Sequence, residues 1–202
     1  MKKPIIRLYS ASPRRAELLS RLQLPFAIAP AHTDEDLPQE IPSSEGVIVL
    51  AQKKLHDALE AYPGRQYRWG LAADTLVEGP EGDLGKPANR DEAFDMLQSL
   101  SGKTHCVHTA LALYVPARNN QKAHILKERH STKVRFRPLT KAMIERVLHW
   151  EEWKDVAGAY RIQGQGSVLI ESIEGLWSTV VGLPLSPLYG MLERSAYPFD
   201  LA

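Results

Sequence analysis

The chain has 202 residues, 44% hydrophobic and 24% charged, which is enough apolar material for one sizeable core in an ordinary globular protein. A formal net charge of +1 excludes a broad nucleic-acid footprint or a membrane-surface charge field, so any anion site must be local. The single cysteine, Cys106, excludes an intrachain disulfide, and the N-terminal residues show no secretory signal.

With apolar runs too short to span a bilayer, these features lead us to expect a cytoplasmic protein. In chain order, residues 4–8 read as a strand, then come a sharp turn and a helix whose Leu18, Leu19 and Leu22 are spaced for one buried face. Ser12 is placed as the N-cap and Pro13 at the first helical position, where a missing N–H costs nothing. Arg14 and Arg15 then fall in the first turn, where the helix dipole disfavours cations. Beside Ser10, Ser12 and the unpaired N–H groups of a helix start, they suit an anion, most simply a polyphosphate. A solvated helix start with two snorkelling arginines is the alternative.

Residues 25–30 form a short apolar stretch, followed by the acidic loop Asp34-Glu35-Asp36. Its carboxylates are metal ligands in type, although such clusters are also ordinary solvated loops. A helix is predicted over residues 45–61, with Val47, Leu50, Leu55 and Leu59 apolar and Lys53 and Lys54 as candidate cations. Residues 67–77 read as a strand interrupted by Asp74. An unpaired carboxylate is costly to bury there. Asp74 at the strand's C-terminal end would face the ligand crevice of an open α/β sheet, able to hold a divalent cation or accept a proton from water. Capping of the following turn is the plainer reading.

Gly79, Gly82 and Gly85 mark a loop that delivers Lys86 in Gly85-Lys86-Pro87. Asn89 caps a helix to Leu100, with Ala93, Met96, Leu97 and Leu100 on one face. Residues 104–114, with Cys106 as a core position, and 124–136 read as an antiparallel hairpin turning at Arg118–Gln121. Thr140 opens a helix to His149, and residues 155–166 form a Gly-rich loop. In that loop Gln163 either presents its amide to a nucleobase edge or ties the loop to itself. Two short strands, 168–173 and 177–181, precede a last helix from Pro187 to Arg194. Crossover units beside a hairpin give an α/β class with a mixed sheet.

The seven histidines are scattered without a His-x-x-x-His pair, and neither a Gly-x-Ser-x-Gly elbow nor a P-loop signature occurs. Zinc, serine-hydrolase and P-loop chemistries lose their main support. What remains is coherent: Arg14, Arg15, a helix lysine and Lys86 for a polyphosphate, Glu35 and Asp74 for a metal, and Gln163 for a base. Phosphoryl and nucleotidyl transfers depend on positioning and electrostatics of this kind.

The order and spacing of several short motifs sharpen this reading. They are Ser10-Ala11-Ser12-Pro13-Arg14-Arg15, Asp34-Glu35, Leu50-Ala51 to Lys54, Ala73-Asp74-Thr75, Gly85-Lys86-Pro87, Leu100-Ser101-Gly102 with His105, Ala157 to Gly164, and Val181 to Leu185. With them the chain resembles the Maf-like nucleotide pyrophosphatases over nearly its whole length. The resemblance implies a single domain over residues 1–202, two-lobed around a long mixed twisted sheet, similar to the inosine triphosphate pyrophosphatases, with the active site in the cleft. It implies hydrolysis of a nucleoside triphosphate to the monophosphate and pyrophosphate with a divalent metal cation, Mg²⁺ or Mn²⁺. By the same resemblance Asp74 is the general base, Glu35 serves the metal with it, and Ser10, Ser12, Arg14, Arg15, Lys54, Thr75, Lys86 and Gln163 contact the substrate.

Arg14, Thr75 and Gln163 match the branch acting on dTTP and UTP; a sister branch acting on 7-methyl-GTP carries Trp, Gln and Glu at these places. The resemblance also implies a homodimer. Tyr9, Leu55 and Arg161 depart from the family's usual small residues. Two further readings stay open: the same chemistry on another nucleotide set, such as CTP or 5-methyl-UTP, and a nucleotide-binding regulator of cell division, since the family name is tied to septum inhibition. A partner-binding protein with an incidental basic turn is a third.

Overall fold

A computed structural model describes residues 6–30, 32–33, 41–62, 68–118 and 121–199. In chain order the described elements are β1 (Ile6–Leu8), α1 (Pro13–Ser20), β2 (Phe26–Ile28), α2 (Ser43–Ala61), β3 (Trp69–Gly79), β4 (Gly82–Leu84) and α3 (Arg90–Leu100). Then come β5 (Thr104–Val115), β6 (His124–Phe136), α4 (Lys141–His149), two 3-10 turns (Ala157–Ala159 and Gln165–Leu169), β7 (Ile170–Glu174), α5 (Trp177–Val181) and α6 (Leu185–Arg194). Among the described residues the sheet runs β2-β1-β3-β5-β6-β7, with β4 paired to β3. Parallel pairs (β1 with β2 and β3) and antiparallel pairs (β3 with β4, β6 with β7) coexist, so the sheet is mixed. No described helix is long and apolar enough to cross a membrane.

The chain divides into two compact units, residues 1–74, 109–130 and 182–202 in one and residues 75–108 and 131–181 in the other. In the first, β1 lies between β2 and β3, with Leu8 paired to Ile28 and to Leu71. Residues 69–73 form an uninterrupted buried run, as an interior strand covered on both faces requires. Helix α1 starts at Pro13 and buries Leu18 and Leu19; Leu22 lies beyond its end and is half-buried. Helix α2 buries Val47, Leu50, Ala51, Leu55 and Ala58, a stripe at helical spacing. Each fully buried leucine of such a stripe contributes about 1.5–3 kcal/mol of transfer free energy.

In the second unit the glycine-marked stretch after Asp74 is a hairpin rather than a loop: β3 runs on to Gly79, which pairs with Gly82 of β4. The Asn89 side chain caps α3 by accepting from the Glu92 N–H at 2.9 Å, and Thr140 caps α4 through the Met143 N–H. Along β6, Thr132, Val134 and Phe136 alternate inward. Residues 177–181, read from composition as a strand, are helical. The reason lies at Gly175, where φ is +130° and an added Cβ would come within 3.0 Å of the Thr132 Cα. The Thr132 hydroxyl bonds both the Leu176 N–H and the Leu176 carbonyl at 3.0 Å. Pairing with β6 stops there, and the next five residues coil, beginning with the Thr179 N–H donating to the Leu176 carbonyl. Propensity yields to this tertiary geometry.

Candidate active site

Strand β1 stops at Leu8, and the Tyr9 N–H donates to the Leu71 carbonyl at 2.7 Å. Strand β3 continues to Gly79, so Asp74 sits in mid-strand, three residues past the last residue paired to β1, rather than at the strand's end. Its residue exposure is 6%, so the carboxylate needs partners, and the first unit supplies two cations. The Lys54 Nζ donates to Oδ1 at 2.5 Å, and the Arg15 guanidinium lies 4.0 Å from the same oxygen. At 15%, 12% and 8% side-chain exposure for Lys54, Arg15 and Asp74, this cluster is shielded from water and weakly screened by salt.

Helix phase decides which lysine reaches Asp74. Lys54 follows buried Ala51 by three residues and precedes buried Ala58 by four, which puts it on the inward stripe; Lys53 is one 100° step away. Arg15, expected as a plain phosphate contact, also has partners within the protein. Its Nε donates to the Gly182 carbonyl at 2.9 Å and its Nη1 to the Ser10 hydroxyl at 3.4 Å, so it braces the turn and the carboxylate. Ser10, 8% exposed, also accepts from the Ser12 N–H at 3.1 Å. Ser12 occupies the N-cap position as expected, but its hydroxyl makes no capping bond, and the first turn of α1 holds no acid. Arg14 is half-buried in the same turn. The structure thus brings Ser10, Arg15, Lys54 and Asp74 together in the first unit.

Thr75, Lys86 and Gln163 belong to the second unit. Thr75 is half-buried, whereas Lys86 and Gln163 are exposed. The Gly85 carbonyl accepts from the Gly158 N–H at 3.1 Å, joining the Lys86 loop to the Gly-rich segment. That segment is anchored by a buried trio: His105 Nε2 and the Tyr160 hydroxyl lie 2.7 Å apart, and the Phe136 ring packs edge-on against both. Burial lowers the His105 pKa from 6.5 to about 4 and raises that of Tyr160, so the imidazole is neutral. Its Nδ1 is buried without a hydrogen-bond partner among the described residues.

Glu35, with Asp34 and Asp36, lies outside the described residues. Among the described residues no group of three His, Cys, Asp or Glu side chains gathers as a metal site. Cys106 is half-buried rather than fully in the core. Two participants escaped sequence reasoning: the Gly182 carbonyl that fixes Arg15, and Glu152, whose Oε2 accepts from the Gly166 N–H at 3.1 Å. No spacing rule links either to its partner.

A shielded carboxylate between two cations, beside a helix start whose N-cap side chain makes no capping bond, is suited to phosphate chemistry, and the mixed α/β sheet is a common carrier of such sites. The Maf-like protein family model matches residues 5–195. The chain belongs to that family. A dTTP/UTP pyrophosphatase of Desulforamulus reducens is 42% identical over 191 residues, covering 95% of this chain and 96% of the relative. One of Caldicellulosiruptor bescii is 39% identical over 191 residues, covering 94% of each. A dTTP/UTP pyrophosphatase of Pyrococcus furiosus is 39% identical over 193 residues, covering 96% of this chain and 95% of the relative. The solved Staphylococcus aureus Ham1 protein superposes with a TM-score of 0.39 at 11% identity, covering 64% of this chain and 71% of that one, too distant a likeness to argue from.

Proposed function

We propose that this chain is a nucleoside triphosphate pyrophosphatase that hydrolyses dTTP and UTP to the monophosphate and pyrophosphate. The observation that carries the reading is Asp74, shielded in mid-strand and paired with Lys54 beside the Ser10–Arg15 turn. Relatives from three organisms, each aligned over nearly the whole chain, bear that activity in their names.

In this reading Asp74 takes the proton of a water whose oxygen attacks the α-phosphorus, and the bond from that phosphorus to the bridging oxygen breaks as pyrophosphate leaves. A positioned general base contributes about 10²- to 10⁴-fold. Lys54 is bound to Asp74 in the free protein, and an arriving phosphate competes for its ammonium, releasing the carboxylate for its role as base. Arg14, Lys54 and Lys86 offset charge on the phosphates and leaving group, while Arg15 acts at one remove, holding Ser10 and Asp74 in place. Ser10 and Ser12 line the turn that receives the phosphates, and Thr75 and Gln163 read the base edge. A site built on base hydrogen bonds rejects a mismatched partner strongly.

Asp74 offers one shielded carboxylate, a hard oxygen ligand of the kind that Mg²⁺ and Mn²⁺ take. Mg²⁺ or Mn²⁺ held by Asp74 and Glu35 would lower the pKa of water and neutralise phosphate charge. From the family resemblance we also propose a cytoplasmic homodimer. Pyrophosphate release from dTTP, UTP, CTP, 5-methyl-UTP, dATP and 7-methyl-GTP, measured with each metal, tests the activity. The highest kcat/KM is expected for dTTP and UTP. A preference for 7-methyl-GTP, or tight dTTP binding with no release in either metal, overturns the proposal, and the second result favours a regulator.

A further inference from the structure

The Gly-rich segment that carries Gln163 is held from outside as well as from within. Internally, the Gly164 N–H donates to the Arg161 carbonyl at 3.2 Å and the Ser167 N–H to the Gly164 carbonyl at 3.1 Å. Gly166 is packed so closely that an added Cβ would stand 2.8 Å from the Arg161 carbonyl oxygen and 2.9 Å from its nitrogen. The external hold comes from the turn after α4, where Glu151 and Asp155 both adopt φ of 59° and curl the chain back. From this turn the Glu152 Oε2 accepts from the Gly166 N–H at 3.1 Å, and the Lys154 carbonyl accepts from the Arg161 Nη2 at 3.0 Å. Both flanks of Gln163 are therefore tied to the same turn.

The fit of the Glu152 carboxylate is close. A Cβ on Gly164 would lie 2.4 and 2.5 Å from its two oxygens, so the carboxylate lies where any side chain at position 164 would start. A half-buried carboxylate accepting a backbone N–H makes a charge-assisted bond, stronger than the neutral contacts that usually order a surface loop. Gln163 is exposed at the apex of this tied loop, and its amide makes no hydrogen bond to protein among the described residues. The amide direction then depends on where the loop backbone is held.

We propose that Glu152 is a positioning residue for base selection: its carboxylate, seated against Gly164 and bonded to the Gly166 N–H, fixes the loop that presents the Gln163 amide to the pyrimidine edge. The inference rests on the reading of Gln163 as the base-contacting residue. Glu152 touches no substrate itself, and Arg161 contributes the second tie.

The test is the ratio of kcat/KM for dTTP to that for dATP, two substrates that share every phosphate contact and differ in the base. Misplacing a positioning group by about 1 Å costs up to about 100-fold. Glu152→Ala lowers the ratio by about tenfold or more, and Glu152→Gln, whose amide oxygen still accepts from the Gly166 N–H, restores most of it. Gly164→Ala displaces the carboxylate with a methyl group and reproduces the loss, and the double variant Glu152→Ala/Gly164→Ala is no worse than either single one. Equal losses on dTTP and dATP, or a ratio within twofold of wild type in Glu152→Ala and Gly164→Ala, overturn the inference. Gln163→Ala separates the two levels. If it leaves the ratio unchanged, the reading of Gln163 falls; if it collapses the ratio while the Glu152 and Gly164 variants do not, only the role of Glu152 falls.

Discussion

Lowering the pH from 7 to 5 should destabilise this protein through one side chain more than any surface histidine would. His105 is 3% exposed, bonded through Nε2 to Tyr160, and its pKa is lowered from 6.5 to about 4 by burial. The unfolded chain takes up a proton that the folded chain refuses. Stability from the neutral imidazole is therefore complete above pH 6.5 and lost as the pH falls through 6.5 towards 4. Linkage between those two values gives a loss of about 2 kcal/mol from pH 7 to pH 5, and about 3 kcal/mol in full. Urea unfolding at pH 7, 6 and 5, on wild type and on His105→Gln, isolates the effect, because glutamine does not titrate. The wild-type midpoint should fall by about 1 M more than the variant's over that range. Parallel pH dependences would refute the reasoning and place the acid sensitivity elsewhere.

Two further outcomes follow from the first unit. Ser12→Ala should change stability by under about 0.5 kcal/mol, since its hydroxyl makes no capping bond, against about 1 kcal/mol for a working cap. Ser10→Ala should cost more, because the buried hydroxyl accepts from both the Ser12 N–H and Arg15; thermal melts of the pair check the order. Among the described residues, Lys54→Ala leaves the shielded Asp74 with Arg15 at 4.0 Å, and should lower stability by about 3 kcal/mol and abolish most dTTP turnover. Lys53→Ala should stay within about 0.5 kcal/mol of wild type and keep its turnover, and matched losses in the two variants would contradict the helix-phase argument.

Much of the site was readable from residue types because its chemistry is costly to misplace. A carboxylate inside an apolar strand needs a partner, and that alone singled out Asp74. Helix phase, applied to Ala51 and Ala58, would also have chosen Lys54 over Lys53. The caps Asn89 and Thr140 were legible because a cap is a local bond between residues three apart. What escaped was non-local. The helix at 177–181 follows from Thr132 blocking the path of Leu176, a contact 44 residues away in sequence. Glu152 reaches Gly166 because Glu151 and Asp155 turn left-handed, which a glutamate does not announce and an aspartate announces only weakly. That Arg15 also braces the turn was hidden because its bond to Gly182 spans 167 positions.

The central claim is that Asp74 is the base of a dTTP and UTP pyrophosphatase. Its most direct test is the kcat for pyrophosphate release from dTTP by Asp74→Asn, beside a melt of the same variant with and without nucleotide. The expected kcat is lower by about 10²- to 10⁴-fold, with dTTP still raising the melting temperature. A kcat near that of wild type would contradict the claim.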